Sequence, residues 1–226
     1  MHRRRVLSFA GSSALILLGA AAKAEPASES DAASGLRAAL ERGAVAAVGL
    51  LGQRDGFLGN PDVRIPLPGF LKDAAKLAKF TGQQGRVDEL VTAMNRAAEA
   101  AVPEAKSLLV AAVKGIGIGD ARRIVSGGDD SVTRFFADKT RGPLGERFLP
   151  IVTRETRRVD LAERFNAVAG KASSLGLVKG DDANIERYVT KKALDGLYFM
   201  IAQEERKIRR DPIGTGSALL ARVFGR

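Results

Sequence analysis

The sequence lacks cysteine and tryptophan, and its only histidine is His2 at the start of the chain. Without cysteine no disulfide can form, so the stability of the fold must come from a packed core. Without a further histidine, Ser-His-Asp and Cys-His nucleophile systems are excluded, as are zinc sites of the usual ligand types and haem held by histidine. Carboxylate pairs, lysine bases, tyrosines and oxygen sites for calcium or magnesium remain open. No cofactor motif is present, and we predict no cofactor.

Aromatic residues are scarce, at 5% of the chain, and no apolar run is long. The most apolar stretch, ALDGLYFMIA at residues 193–202, is far shorter than the roughly 20 residues that cross a bilayer. As a helix it would be apolar on every side, which is typical of a helix buried in a core. We therefore predict an all-α fold, a multi-helix bundle around a long buried helix at residues 181–210. Few aromatic residues also favour Ala- and Leu-rich helices over a β-sandwich.

The N-terminus has the pattern of a secretory signal peptide. The basic letters HRRR precede a small, apolar stretch, and AKA at residues 22–24 fits a small-x-small cleavage site. We predict a signal peptide over residues 1–24, cleavage after Ala24 and a periplasmic location, with an uncleaved anchor as the alternative. General secretion is the default route, although the paired arginines faintly resemble a twin-arginine signal. Because cysteine is absent, the protein cannot be a lipoprotein anchored through that residue.

The charge balance is moderately basic. Lys and Arg number 36 against 26 Asp and Glu, and four of the basic residues lie in the predicted signal peptide, which leaves a mature net charge of +6. A charge of this size keeps a small domain soluble, and anionic lipid headgroups are the alternative attractor. Nucleic acid is not a partner that we expect for an exported chain. A lipid, an amphipathic ligand or an envelope protein remains possible.

Helical periodicity recurs along the rest of the chain. A flexible leader is predicted over residues 25–34, and a single domain over residues 35–226, because no repeat or low-complexity tract divides it. Glycine and proline interrupt residues 52–69, which predicts one long extended loop laid across the helices. Gly142-Pro143 predicts a turn. The predicted helices cover residues 35–51, 70–80, 86–116 with a kink at Pro103, 121–126, 130–139, 144–172, 181–210 and 217–224.

Two groups of polar residues are candidates for a binding site or a polar network. Asn95 and Glu99 are four residues apart and share a helix face, so Asn95 could hydrogen-bond across a helix interface. Arg96 points to the solvent side and is predicted to pair with Glu99. Asp129 and Asp130 follow two glycines, where they either cap the next helix or offer oxygens to a metal. Capping is the preferred interpretation because no EF-hand spacing follows, and we predict no metal site.

Asp195 stands out because it interrupts the most apolar stretch of the chain. An unpaired carboxylate buried there would cost on the order of several kcal/mol. Lys191 or Lys192 could pair with it from the preceding turn. An arginine of another helix could do the same: Arg122, Arg123 or Arg134. A structural ion pair is the preferred interpretation, and a functional carboxylate that lines a pocket is the alternative.

Several longer motifs resemble an uncharacterised bacterial family of exported helical proteins, domain of unknown function 4197. They are GLRAAL at 35–40, QRDGFL at 53–58, NP at 60–61, IPLP at 65–68, MNRAAEAAVP at 94–103, DA at 120–121, GGDD at 127–130, YVT at 188–190 and ALDGL at 193–197. The resemblance extends over about residues 35–224 and implies an exported, mostly helical protein. It places Asn95, Arg96, Glu99, Asp129, Asp130 and Asp195 within motifs but implies no activity, substrate or catalytic residue.

Three functional hypotheses follow from the sequence. The first is a binding or envelope-structural protein, whose apolar or amphipathic ligand or partner helix lies beside the 181–210 helix and under the 52–69 loop, next to Phe199, Met200 and Met94. The second is a carboxylate-based hydrolase or lyase centred on Asp195, Glu99 and Asp129. The third is a homodimer formed through the apolar face of residues 86–116.

Overall fold

The computed structural model describes residues 29–71, 80–117, 127–157 and 184–211, together with Glu163, Phe165, Asn166 and Ala169. These residues contain five α-helices and, between them, no strand: α1 (Glu29–Leu51), α2 (Gln84–Ala101), α3 (Ala105–Lys114), α4 (Ser131–Thr156) and α5 (Ile185–Arg210). Short 3-10 turns cover Gly69–Leu71 and Val102–Glu104. The predicted signal peptide and the predicted helices at 121–126 and 217–224 lie outside the described residues. The all-α, multi-helix fold is confirmed.

Helix α5 lies at the centre of the fold, packed against α1, α2 and α4. It begins after Asn184, whose side chain accepts a hydrogen bond from the Arg187 backbone N–H, as expected of an N-cap. Its last turn contains three basic residues, which complement the partial negative charge at a helix C-terminus. Ala193, Leu197 and Ile201 are buried in the common core. The predicted C-terminal end at Arg210 is confirmed.

The prediction that residues 193–202 are buried on every side is wrong for one face of α5. Phe199 is 36% exposed, and the Asp195 side chain is 42% exposed. These residues are four apart and therefore share a side of the helix, together with Lys192 three residues before Asp195. Among the described residues, the 52–68 loop lies beside this face, and α4 contributes Arg141 to it.

Two predicted helix boundaries differ from the structure at the N-terminal half of the fold. Helix α1 begins at Glu29, so residues 29–34 of the predicted flexible leader are helical, and Ala33 among them is buried. Burial of that turn against the core outweighs its small, polar composition. The long periodic stretch at 86–116 is two helices, because Pro103 has no backbone N–H and a 3-10 turn replaces the α-helical ladder there.

The predicted turn at Gly142-Pro143 is wrong, because α4 continues through it from Ser131 to Thr156. Gly142 and Pro143 are both exposed, so the bulk of the proline ring faces away from the core. On the opposite side Leu144, Phe148 and Val152 are fully buried, and α4 packs along α5. Burial of these side chains outweighs the unfavourable local effect of the proline.

The start of α4 is capped from another helix rather than by its own acids. Asp130 occupies the predicted N-cap position but makes no side-chain cap bond; it pairs instead with Arg134 at 2.9 Å on the surface. The carboxylate of Glu205, on α5, accepts hydrogen bonds from the Thr133 backbone N–H and hydroxyl. A buried carboxylate at a helix N-terminus is stabilised by the free N–H groups and the helix dipole.

Candidate functional site

Asn95 is completely buried and fastens the 52–68 loop to α2. Its side-chain carbonyl accepts a hydrogen bond from the Ile65 N–H at 2.8 Å, and its amide donates to the Ile65 carbonyl at 2.9 Å. The amide donates also to the Val91 carbonyl within α2. This pairing imitates the bonds of a β-ladder, because one side chain supplies both the acceptor for the Ile65 N–H and the donor for the Ile65 carbonyl. The interface that Asn95 bridges is therefore helix-to-loop.

Glu99, one turn further along α2, holds the opposite end of the same loop. One carboxylate oxygen accepts hydrogen bonds from the backbone N–H groups of Phe57 and Leu58, at 3.0 and 3.1 Å. The other oxygen accepts from Arg96 at 2.6 Å, which confirms the predicted Arg96–Glu99 pair. The Glu99 side chain is only 6% exposed. Glu99 thus holds the loop backbone with one carboxylate oxygen and pairs with Arg96 through the other.

Arg96 joins this cluster to a tight turn of the loop. It pairs at 2.7 Å with Asp55, whose φ of 66° lies in the left-handed region, a conformation that aspartate tolerates better than most residues. The hydrogen bond to Glu99, and next the one to Asp55, raise the pKa of Arg96. We call Asn95, Arg96 and Glu99 the loop-binding cluster.

The loop is held to α5 as well. The Tyr188 hydroxyl donates to the Pro66 carbonyl at 3.0 Å. Phe57 is fully buried against Gly196: a Cβ built on that glycine would lie 2.8 Å from the Phe57 ring. Real Cβ atoms do not approach so closely, so the glycine of the ALDGL motif permits the contact between loop and helix.

Asp195 forms an ion pair with Arg141 of α4 at 2.7 Å, and not with Lys191, Lys192 or Arg134. The other predicted partners, Arg122 and Arg123, lie outside the described residues. Lys192 lies over the Tyr188 ring instead, and Arg134 pairs with Asp130. Arg141 also contacts the ring of Tyr198, whose hydroxyl is hydrogen-bonded to Thr140. Burial raises the pKa of the Tyr198 hydroxyl, and the Thr140 hydrogen bond and the Arg141 charge partly oppose it.

We expect the change Asp195→Asn to lower the free energy of unfolding by less than about 1 kcal/mol, because both partners of the pair are 42% exposed and solvent screens them. Urea unfolding followed by circular dichroism measures this. Arg141→Gln, from the other side of the pair, should have an equally small effect. A loss of several kcal/mol in either variant would contradict the expectation and would indicate that the pair is desolvated.

The structure does not gather the three carboxylates proposed for catalysis. Glu99 is bound to the loop, Asp195 to Arg141, and Asp129 lies exposed in the turn before α4. In the part of the chain that the structure describes, no three acidic, histidine or cysteine side chains are grouped so that they could hold a metal ion. The contacts that the structure shows for the loop-binding cluster hold the 52–68 loop against α2.

A cleft of about 350 Å³ lies between α4 and α5. The helices run antiparallel, since Thr133 meets Glu205 and Arg141 meets Asp195. The cleft is open because two glycines face it, and nothing lies within 4 Å of a Cβ built on Gly142. Its surface is mostly apolar with a charged rim. It is lined by Arg141, Gly142, Gly145, Glu146, Leu149, Arg187, Thr190, Lys191 and Leu194.

A second, smaller depression of about 270 Å³ lies between the loop and the exposed face of α5. Phe199, Lys192 and Asp195 contribute from the helix, and residues 62–66 contribute from the loop. Phe199 is thus placed beside the loop, whereas Met94 is completely buried in the core. Of the two concave surfaces, the cleft between α4 and α5 is the larger and the more apolar, and it is our candidate site.

The sequence analysis missed most of the residues that line this cleft. Arg187, Thr190, Lys191 and Leu194 follow the spacing i, i+3, i+4 and i+7, which places them on one face of α5. That spacing is visible in the sequence. The partner surface on α4 could not be predicted, because Gly142-Pro143 predicts a turn. A turn there places Gly145 and Leu149 on a different helix from Arg141.

These features define an all-α domain in which a central helix carries a firmly held loop on one face and an open cleft on another. The chain belongs to the family described as Protein of unknown function (DUF4197), which matches residues 26–225. This match confirms the resemblance drawn from the motifs. No curated protein and no solved structure shows significant similarity to the chain.

Proposed function

We propose that this protein is an exported binding protein, which holds an apolar or amphipathic ligand in the cleft between α4 and α5 without transforming it. The cleft itself is the observation that carries the proposal. Its volume of about 350 Å³ falls within the roughly 300–1,000 Å³ that is usual for ligand pockets, and such pockets are mostly apolar with a few polar groups. Leu149 and Leu194 supply apolar surface, and charged side chains surround it.

The use of the acidic residues supports binding rather than catalysis. A carboxylate that acts as a general acid or base must reach the substrate. Glu99 faces loop backbone and Arg96, and Asp195 is paired with Arg141. Any pair among Asp195, Glu99 and Asp129 includes Asp195 or Glu99, so the hydrolase or lyase hypothesis requires at least one of these two carboxylates to leave its partners. Binding in the cleft requires neither of them to move.

Filling the cleft tests the proposal. We expect the purified protein to bind N-phenyl-1-naphthylamine, a neutral apolar fluorophore, and the variant Gly145→Leu to lose this binding. A Cβ at position 145 would lie 3.8 Å from Leu194, which is an ordinary contact, and the rest of the leucine side chain would extend into the cleft. Replacing a helical glycine also favours the helix by a few tenths to about 1 kcal/mol. Loss of binding in a variant that is as stable as the parent isolates the cleft.

A glycine in α1 provides the matched control. Gly49 is exposed, has nothing within 4 Å of its Cβ position and lies outside the cleft. Gly49→Leu should therefore bind the fluorophore like the parent protein. If the parent does not bind it, or if Gly145→Leu binds it as well as Gly49→Leu does, the cleft is not a ligand site and the proposal is wrong.

Export is part of the same proposal and has its own support. The signal-peptide pattern ends at Ala24, and the family match begins at residue 26, directly after the predicted cleavage site. None of the described helices is long and apolar enough to cross a membrane. Intact-mass measurement of the protein from a periplasmic extract tests export: a chain that begins at Glu25 is expected, and a full-length chain retained with the membranes would contradict it. The homodimer stays a prediction, which light scattering tests.

A further inference from the structure

The charges around the cleft are unbalanced. Arg141 is neutralised by Asp195 at 2.7 Å. Arg187 and Lys191 have no ion-pair partner among the residues that the structure describes, and Glu146 is the single carboxylate in the lining. Two unpaired cations and one carboxylate leave the described lining of the cleft net positive. A concave, partly apolar surface strengthens the attraction between such a rim and an anion.

The free cations and the apolar surface are arranged along the same helix face. Arg187, Lys191 and Leu194 occupy positions i, i+4 and i+7 of α5, so the charges lie toward its N-terminal end and the leucine lies further along. Because α4 runs antiparallel, Leu149 belongs to the cationic end of the cleft and Gly145 lies opposite Leu194. Apolar surface therefore runs along the cleft, whereas the unpaired cations lie toward one end of it. A ligand with a charged head at that end and an apolar body that extends toward Leu194 matches this layout.

Thr190 lies between the two cations, and its hydroxyl is unsatisfied within the described part of the chain. The residue is 7% exposed and lines the cleft, and its buried Oγ1 has no hydrogen-bond partner among the described residues. Threonines in helices usually donate to the carbonyl four residues earlier, as Thr153 and Thr156 do here. Threonine also has two accessible χ1 rotamers in a helix. Turning the Thr190 hydroxyl toward a ligand therefore breaks no existing hydrogen bond and satisfies a group that is costly to leave unpaired.

We propose that the ligand of the cleft is a small amphipathic anion. Its carboxylate, phosphate or sulfonate group is bound by Arg187, Lys191 and the Thr190 hydroxyl, and its apolar body lies on Leu149 and Leu194. This inference rests on the proposed function, because it specifies the chemistry of the ligand in the same cleft.

A pair of probes that share one apolar body tests the anionic part separately. The probe 1-anilinonaphthalene-8-sulfonate carries a sulfonate, and N-phenyl-1-naphthylamine lacks it. We expect the sulfonate probe to bind about tenfold more tightly, which is the usual gain from a hydrogen bond to a charged group. Equal affinities would overturn the inference while leaving the proposed function intact, whereas no binding of either probe would overturn both.

Charge variants of the rim test the sign of the interaction. Lys191→Gln should lower the affinity for the sulfonate probe about tenfold and leave the affinity for the neutral probe unchanged, because it removes a charge-assisted contact. Glu146→Gln should increase the affinity for the sulfonate probe, since it removes the one carboxylate of the lining, whose negative charge repels the sulfonate. Lys106→Gln, an exposed lysine of α3 outside the lining, changes the net charge equally and should have no effect. If Lys106→Gln acts like Lys191→Gln, or if Glu146→Gln weakens binding, the inference is wrong.

Thr190→Val separates a role in binding from a role in folding. Valine has the same shape and removes the unpaired buried hydroxyl, so the urea midpoint should rise. Affinity for the sulfonate probe should nevertheless fall severalfold. A variant in which stability rises and sulfonate affinity does not change would remove Thr190 from the site and contradict the proposed head-group contacts.

Competition identifies the source of the head group. Decanoate below its micellar concentration should displace the sulfonate probe, because it presents one carboxylate on a short chain. Vesicles of phosphatidylglycerol should not displace it if the ligand is a soluble small molecule. Displacement by the vesicles alone would contradict the proposal and would indicate a membrane surface instead.

Discussion

Replacing Glu99 by alanine should lower the free energy of unfolding by about 3–5 kcal/mol, the usual cost of removing one partner from a buried charged network. The Glu99 side chain is 6% exposed and accepts two loop N–H groups and the Arg96 guanidinium. Without it the Phe57 N–H, which is buried, has no acceptor, and Arg96 keeps only Asp55. Urea unfolding at neutral pH measures the loss.

Two further substitutions show whether the loss arises from the loop contacts. Glu99→Gln keeps a carbonyl oxygen for the two loop N–H groups and loses only the charged contact to Arg96, so a smaller loss of about 1–2 kcal/mol is expected. Glu104→Ala removes an exposed carboxylate at the end of the same helical segment and should change stability by no more than about 0.5 kcal/mol. If Glu99→Ala costs no more than Glu104→Ala, Glu99 does not hold the loop.

Much of the helical architecture could be predicted, because a helix that packs on one side shows a local periodicity of apolar residues. The apolar positions of α2 recur at helical spacing, and Leu90, Met94, Ala97, Ala98 and Ala101 are all buried as that spacing requires. The Arg96–Glu99 pair was predictable for the same reason, since residues three apart on a helix are neighbours. Errors arose where long-range packing outweighed a local signal, as at Pro143 within α4.

The role of the loop-binding cluster could not be predicted, because its partners are backbone groups about 30 to 42 residues away in sequence. Periodicity shows that Asn95 lies at the edge of an apolar stripe, but not what lies across from it. A loop that contains Pro66 and Pro68 cannot complete its own hydrogen bonds, and a buried amide that supplies both a donor and an acceptor is the chemistry such a loop requires. The contacts of Asn95, Arg96 and Glu99 are therefore accounted for by the loop that they hold.

The candidate cleft was harder still to predict, because it consists of space rather than of side-chain chemistry. Gly142 and Gly145 leave the cleft open because they have no side chains, and a glycine within a helix is locally unfavourable. Asp195 is conspicuous in the sequence because of its apolar neighbours, yet its side chain is 42% exposed and pairs with Arg141 of α4. The position of the cleft and the exposure of Asp195 both depend on how the helices pack, which the local residue pattern does not show.

The other large effect is expected from Asn95→Asp, which exchanges a buried amide for a carboxyl group of the same shape. The Asn95 amide donates to the carbonyls of Ile65 and Val91, and a carboxylate in that position would face both carbonyl oxygens with no proton to offer. We expect a loss of about 3 kcal/mol or more in the free energy of unfolding at neutral pH, because a charge is buried without a partner. The protonated acid can donate one of the two bonds, so the folded state should raise the pKa of the new group above its unfolded value.

This raised pKa gives the variant a pH dependence of known sign. Below the unfolded pKa of about 3.9 both states are protonated, and the loss is smallest; as pH rises through the folded-state pKa, the native protein must release a proton that it holds more tightly than the unfolded chain does. The stability difference from the parent should therefore widen by about 1–3 kcal/mol between acidic and neutral pH. Asn95→Leu removes the same hydrogen bonds without adding a titrating group, so its loss should not vary with pH. If the two variants follow the same pH profile, the loop carbonyls do not face the side chain at position 95 as the structure places them.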